Sequence, residues 1–226
     1  MGAKAALHVA IIPDGNRRWA RARMFQPWKG HEHAVENFRT LTEWCRNDPR
    51  IAVMTVWCFS TENWKRDPKE IRQLMTMLED YLEKEREGFR EKKIRFCHSG
   101  RTDRIPPSLA SLMREIAEET NDIDGLTLHL ALDYGGKDEL LRAMKKLNDP
   151  ASVTDESFRS LLDHPEIPDI DLIVRTSGES RTSNFFLWQS TYAEWFFIEK
   201  HFPDFTKEDL AAVVDEFSAR GRRFGA

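Results

Sequence analysis

"LHVAIIPDGNRRWA", residues 7–20, decides how the rest of the chain is read. An apolar run, broken only by His8, stops at Pro13-Asp14-Gly15-Asn16, and arginines follow at once. A near-continuous apolar run is the pattern of a strand covered on both faces of a parallel sheet. Pro-Asp-Gly-Asn is turn chemistry, and Gly15-Asn16 opening a helix can offer backbone N–H groups to an anion. Asp14 therefore stands at the end of a buried strand beside Arg17, Arg18, Arg21 and Arg23. Taken in isolation, the segment reads as a solvated turn leading into a helix.

The pattern repeats outward from there. Further short β-rich runs lie at 52–60, 93–98, 126–132, 171–175 and 195–198, with longer segments of 3.6-residue periodicity between them. Residues 68–92 place Ile71, Leu74, Met75, Leu78, Leu82 and Phe89 on one stripe, behind an Asp67-Pro68-x-Glu70 start that predicts an N-cap and capping box. Residues 108–120 align Leu109, Leu112, Met113 and Ile116; residues 137–147 align Leu140, Leu141, Met144 and Leu147. Thr206 caps a last helix carrying Leu210, Val213, Val214 and Phe217. This alternation predicts an α/β fold: one domain over 1–226, with a central, mostly parallel six-stranded sheet flanked by helices. "PDGNRR", "STENWKR", "DYGG" and "RTSGESR" each follow a strand, on the edge where open α/β sheets bind ligands.

Composition narrows the ligand. The apolar content of 40% supports a packed core, and a formal charge of −4 disfavours a duplex-binding surface. Arginines nevertheless cluster at 17–23, 175–181 and 220–223, which points to a small anion. Cys45, Cys58 and Cys97 form no C-x-x-C pair and read as reduced thiols, neither disulfide framework nor zinc site. No signal-peptide pattern opens the chain and no apolar run approaches the ~20 residues of a spanning helix, so a cytoplasmic protein is expected, able to work at a membrane surface.

The familiar nucleotide and hydrolase motifs are missing. The polar stretches instead bring together Asp14, Asn16, Arg17 and Arg18; Ser60, Glu62, Asn63 and Arg66; and Arg175, Arg181 and Ser183. Arginine forks match phosphate oxygens, and Mg²⁺ typically takes one or two carboxylates plus substrate phosphates. The residue types thus predict Mg²⁺-dependent phosphate-ester or diphosphate chemistry.

Six ordered segments carry a resemblance: "HVAIIPDGNRRWA", "GHEHAVENF", "CFSTENWKRDPKEI", "LALDYGGKDEL", "DLIVRTSGESRTSNFFLWQSTYAEWFF" and "RGRRFG". Over essentially its whole length the chain resembles the cis-prenyltransferases, the undecaprenyl diphosphate synthase family. The resemblance implies Mg²⁺-dependent condensation of isopentenyl diphosphate onto an allylic diphosphate, farnesyl or geranylgeranyl, with a Z double bond formed at each addition. It implies that Asp14 is the Mg²⁺ carboxylate, with Glu194 as a second metal-site acid that comes across a homodimer interface. Gly15, Asn16 and Arg18, with Arg17 and Trp19 adjacent, match the allylic diphosphate loop, and His31 matches the substrate-binding histidine of the family's G-H pair. Ser60, Thr61, Glu62, Asn63, Trp64 and Arg66 match the second motif, Asn63 being the position assigned to proton removal. Arg175, Arg181, Thr182 and Ser183 match the isopentenyl diphosphate site.

The chain departs from the family pattern at Pro27, where an arginine is common, and at Ser177 and Ser180, where many long-chain bacterial members have Gly and His. Cys58 and Leu132 are bulky enough to shorten a product tunnel. No dolichol-type insertion follows the helix at 68–92, and "RRFGA" ends without the C-terminal extension of eukaryotic catalytic subunits; a prokaryotic enzyme with a medium- to long-chain product is expected, released with peripheral contact to a membrane. A short-chain Z-prenyl synthase and a catalytically inactive partner subunit are the alternatives, the second disfavoured by the retained D-G-N and F-S-x-E-N-W residues. A nucleic-acid module would need a continuous basic face, which Glu32 and Glu36 interrupt.

Overall fold

The computed structural model describes residues 6–220; the "RGRRFG" motif and the 220–223 arginines, Arg220 apart, lie outside them. Six strands form one sheet: β1 (Leu7–Ile12), β2 (Ile51–Ser60), β3 (Ile94–Ser99), β4 (Leu126–Tyr134), β5 (Leu172–Thr176) and β6 (Glu194–Ile198), in the order β3-β4-β2-β1-β5-β6. Every neighbouring pair is parallel, so the sheet is more uniform than the expected mostly parallel one. The helices are α1 (Asn16–Ala22), α2 (Pro27–Asn47), α3 (Pro68–Glu91), α4 (Pro107–Thr120), α5 (Gly136–Met144), α6 (Asp155–Arg159) and α7 (Lys207–Ala219).

Alternate strand residues serve opposite faces. Val9 and Ile11 of β1, Met54 and Val56 of β2, and Leu172 and Val174 of β5 join the large core formed with α2, α3, α4 and α7. Ala10, Ile12 and Ile173 face the other way, against Phe185 and Phe186. The stripes expected on α3, α4 and α7 are buried as read. The one expected on α5 is not, for Leu141 and Met144 are exposed. That helix buries Glu139 and Ala143 instead. Glu139 accepts hydrogen bonds from Tyr134 Oη (2.5 Å), Gln189 Nε2 and the Asp163 N–H, so α5 is anchored by a polar network that hydrophobic periodicity cannot signal.

α2, the 21-residue helix, was not marked by periodicity. Its buried face mixes Ala34, Phe38, Leu41 and Cys45 with Gly30, His31 and Thr42, which blurs the apolar stripe. Pro27 sits in its first turn, where a missing N–H costs nothing. All three cysteines are free thiols, and burial pushes Cys58 up to about 12 and Cys97 up to about 11.

The second sheet face holds a buried polar chain. His8 Nδ1 bonds the Pro168 carbonyl (2.8 Å), so that nitrogen donates. With the ring neutral, His8 Nε2 accepts from Thr55 Oγ1 (2.6 Å), whose oxygen accepts from His129 Nδ1 (2.9 Å), leaving His129 Nε2 to accept from Ser99 Oγ (2.7 Å). Only neutral imidazoles satisfy this order. Burial accordingly lowers His8 to about 4 and drives His129 well below its ordinary value. Because the folded protein binds these protons more weakly than the unfolded chain, the stabilisation is complete above pH 6.5 and is lost as pH falls toward 4. For His8 alone the loss is about 3 kcal/mol. Urea unfolding between pH 7 and 4 should show it, and a flat profile over that range would contradict the neutral chain.

Candidate active site

The chain leaves β1 for β2 on one side and returns to β5 on the other, which makes the carboxyl end of β1 a switch point of the topology. Three of the four polar stretches meet there around a cleft of about 790 Å³. Asp14, Gly15, Asn16, Arg17, Arg18 and His31 line it, together with Ser60, Glu62, Asn63 and Arg66 and with Arg175, Arg181 and Ser183. The fourth stretch, "DYGG", supports the wall from behind. Asp133, fully buried, accepts from Trp64 Nε1 (2.8 Å) and from Arg104 Nε (2.8 Å), fixing the 61–65 turn.

Arg175 ties the loops together. Its guanidinium, 4% exposed, donates to Asp14 Oδ2 (2.9 Å), to Ser183 Oγ (2.8 Å) and to the Arg181 carbonyl, while its Nε is buried with no partner among the described residues. Arg18 lies 2.9 Å from Glu179 and 3.9 Å from Asp14, and Arg181 also pairs with Glu179. Gly15 has φ 95°, and a Cβ there would strike Ser177 Oγ and come within 2.6 Å of His201 Nδ1. Ser177 itself is left-handed, φ 80°, and its hydroxyl is 2.6 Å from that same nitrogen. On the other side Gly30 lets α2 approach the Asn16 carbonyl, which a Cβ would overlap. This close approach is the physical basis of the G-H pair. His31 lies one residue further on, inside α2, and is buried.

The capping box expected from Asp67 and Glu70 does not form. Asp67 caps α3 alone, accepting from the Lys69 and Glu70 N–H groups. The Glu70 carboxylate instead turns to His31 (3.8 Å), Arg17 (3.7 Å) and Arg66 (3.7 Å). The His31 imidazole, then Arg17 and Arg66, hold that carboxyl below its ordinary range against a burial that would raise it. At these separations the hold is one of charge and not of a formed hydrogen bond. Glu179 is the other missed residue; its position inside "SGES", flanked by arginines, was the available signal.

Asn63 closes a capping box in which its Oδ1 accepts the Ser60 N–H (3.1 Å). Its amide NH₂ is thus the end left for a ligand, and it donates. Glu62 is pushed up by burial, but bonds from its own backbone, Ser60, Asn184 and Thr61 outweigh this and hold it low.

The remaining assigned residues stand outside the wall. Trp19 is buried, with Nε1 on Asp204 (2.8 Å), and Trp64 packs edge-on against Phe59. Thr61 and Thr182 adjoin lining residues, and Ser180 is exposed. Glu194 begins β6 opposite Leu172, three residues before the level of Arg175, and pairs with Arg220 (3.2 Å). Cys58 lines the cleft, whereas Leu132 belongs to the core.

The donor set fits a hard divalent cation. Asp14 offers a carboxylate, and Asn16, its Nδ2 spent on the Pro13 carbonyl (3.0 Å), leaves Oδ1 buried without a partner among the described residues. Hard oxygens of this kind suit Mg²⁺. Cys97, His164 and Glu166 also lie within 4.8 Å of one another, but none lines the cleft, and Glu166 is already taken by Arg95 and His164.

Fold and cleft together describe an α/β protein with a polyanion site at its switch point. The model of a family described as "Putative undecaprenyl diphosphate synthase" matches residues 12–225. An isoprenyl transferase of Wolinella succinogenes is 43% identical over 219 residues, 96% of each chain, and one of Aquifex aeolicus is 40% identical over 100% of this chain and 98% of its own. Among solved structures, lavandulyl diphosphate synthase from Lavandula x intermedia in complex with dimethylallyl diphosphate superposes with TM-score 0.92 at 31% identity, covering 97% of this chain and 98% of that one. A "probable undecaprenyl diphosphate synthase" from Campylobacter jejuni gives 0.83 at 32% identity, covering 99% and 100%. The chain belongs to the undecaprenyl diphosphate synthase family and is a prenyltransferase.

The fit of the first loop is tested by Gly15→Ala. The added Cβ should cost about 1–3 kcal/mol of stability and weaken binding of inorganic pyrophosphate in calorimetry; unchanged melting and affinity would show that the loop yields.

Proposed function

We propose that this prenyltransferase domain, spanning 1–226, condenses isopentenyl diphosphate with an allylic diphosphate, farnesyl or geranylgeranyl, to give a Z-polyprenyl diphosphate. The allylic C–O bond breaks, the homoallylic double bond forms the new C–C bond, and a proton is lost. The observation that carries this reading is Asp14, held at the mouth of an arginine-lined cleft by the buried Arg175. Gly15, Asn16, Arg17, Arg18 and His31 hold the allylic diphosphate, and Arg175, Arg181 and Ser183 the second one. Trp19, Thr61, Trp64 and Thr182 brace these loops. Mg²⁺ would be held by Asp14, with Glu194 as a further acid, and would supply Lewis-acid stabilisation of the departing diphosphate. The arginines meet the same developing charge. With its Oδ1 engaged, Asn63 orients a diphosphate oxygen or water through its NH₂, and a diphosphate oxygen takes the proton.

The test is a product assay with Mg²⁺, labelled isopentenyl diphosphate and, separately, dimethylallyl, geranyl, farnesyl and geranylgeranyl diphosphates. A ladder of many additions is expected. Asp14→Ala should lower turnover by roughly 10²-fold or more in a protein that still folds by circular dichroism, with a lowered unfolding midpoint because the buried Arg175 loses its carboxylate; full activity in that variant would remove Asp14 from the mechanism. One or two additions would favour the short-chain reading, which the likeness to lavandulyl diphosphate synthase and the position of Cys58 in the cleft wall both support. No incorporation with any primer would return the inactive partner subunit.

We also infer a homodimer. Glu194 stands on the edge strand away from its own cleft, near exposed Phe197 and Tyr192, so a symmetric pairing of this face would carry it to a second copy. Sedimentation at micromolar concentration should give twice the chain mass, and Glu194→Gln should raise the Mg²⁺ requirement. A monomer with normal activity would end the shared-site idea. Among the described residues no helix is long and apolar enough to cross a membrane. A cytoplasmic enzyme that touches the membrane to release product is the corresponding proposal.

A further inference from the structure

The register between β2 and β4 slips beside the cleft. Phe59 pairs with Leu132 but Ser60 pairs with Tyr134, which leaves Asp133 as an extra residue on β4. Asp133 has φ 50°, a left-handed conformation that aspartate tolerates better than most side chains. Bulges of this kind re-aim a side chain, and they gather next to active sites. Both carbonyls at the slip find donors on β3 and the loop after it. Leu132 accepts from His98 Nε2 (3.0 Å) and Asp133 from the Arg101 N–H (3.1 Å).

The bulge delivers a carboxylate with no exposure to solvent. A lone buried charge is costly, and Arg104 meets this one with both sides of its fork, Nε on Oδ2 and Nη2 on Oδ1. The same guanidinium lies 5.7 Å from the centroid of the Trp64 ring, whose Nε1 donates to that Oδ1. The indole is thus held at its N–H by Asp133, over its face by Arg104 and against Phe59, at 5.1 Å and 77° between planes. Trp64 follows Asn63 within one short turn, Thr61–Lys65. Among the described residues the Asn63 side chain makes one hydrogen bond, Oδ1 to the Ser60 N–H. A single bond sets distance better than direction, so the aim of the amide depends on how firmly the turn is held. Arg104, Asp133 and Trp64 all stand outside the cleft lining.

We propose that Arg104, acting through Asp133 and Trp64, is a positioning residue for Asn63: it fixes where the Asn63 NH₂ points in the cleft and thereby sets the rate of the proton-loss step. The effect on rate rests on the proposed reaction; the placement of the turn does not.

Two variants test this. Arg104→Met removes the fork and the charge, whereas Arg104→Lys keeps a cation for Asp133, so that a protein that folds is available even where stranding the carboxylate prevents it. The stoichiometry of inorganic pyrophosphate binding in calorimetry counts folded sites. Per folded site, kcat should fall roughly 10–10²-fold in Arg104→Met and less in Arg104→Lys. The KM for the allylic diphosphate should not change, because Arg104 touches none of the loops proposed to hold it. Without substrate, hydrogen exchange over residues 60–66 should quicken roughly tenfold in either variant, while residues 14–18 keep their protection. An unchanged kcat per folded site overturns the proposal. So does a rise in the allylic KM matching the loss in kcat, or faster exchange in both segments, since either would mark a general loosening of the cleft. A wild type that incorporates no isopentenyl diphosphate sinks the proposed reaction instead, and the exchange comparison then decides the placement of the turn alone.

Discussion

The contact between Arg175 and Asp14 is the constraint on which the site depends. Parallel pairing sets Ile12 of β1 beside Arg175 of β5, so an aspartate just past one strand faces an arginine still inside the other. Burying a guanidinium costs several kcal/mol unless its hydrogen bonds are met. Here all but the Nε–H are met, by Asp14, Ser183 and the Arg181 carbonyl, while Thr176 Oγ1 secures the Asp14 carbonyl from below at 2.8 Å. Neither loop can shift without stranding that charge. The left-handed Ser177, its bond to His201 and the tight fit around Gly15 follow from the same closure.

The two faces of the sheet solve different problems. On one, a continuous apolar core backs the strands with α2, α3, α4 and α7. On the other, the His8–Thr55–His129–Ser99 chain runs across β1, β2, β4 and β3, and each bond in it has a single permitted direction. Such a chain adds little net energy per bond, but it resists sliding of strands past one another. The carboxyl ends of β1 and β2 are thereby held level, and Arg175 and Thr176 tie β5 to the loop after β1. The Trp64–Asp133–Arg104 contacts extend that rigidity to the 61–65 turn.

Much of this was legible in the chain. Continuous apolar runs gave the strands to within two residues, because burial on both faces leaves no other pattern. The loops after β1, β2 and β5 stood out because polar residues gather where the sheet is open. What escaped detection was held by polar contacts. α5 packs through Glu139, and the α2 stripe is interrupted by Gly30, His31 and Thr42. Glu70 and Glu179 act as counter-charges, a role visible only when the arginines they serve are in view. Trp19 and Trp64, assigned to substrate from their motifs, brace loops by donating to Asp204 and Asp133.

The strand order also fixes when the site can exist. β1 is made first, yet its second neighbour, β5, follows after 163 residues, the separation between His8 and the Asp171 side chain that bonds its N–H. At roughly 5–20 residues per second, a ribosome takes about 8–30 s to bridge that interval. Throughout it, one edge of β1 offers unpaired N–H and C=O groups to any passing strand. The nascent chain thus carries Asp14 and its arginines long before it has a pocket, and the cleft is complete only once β5 and the loop after it have followed.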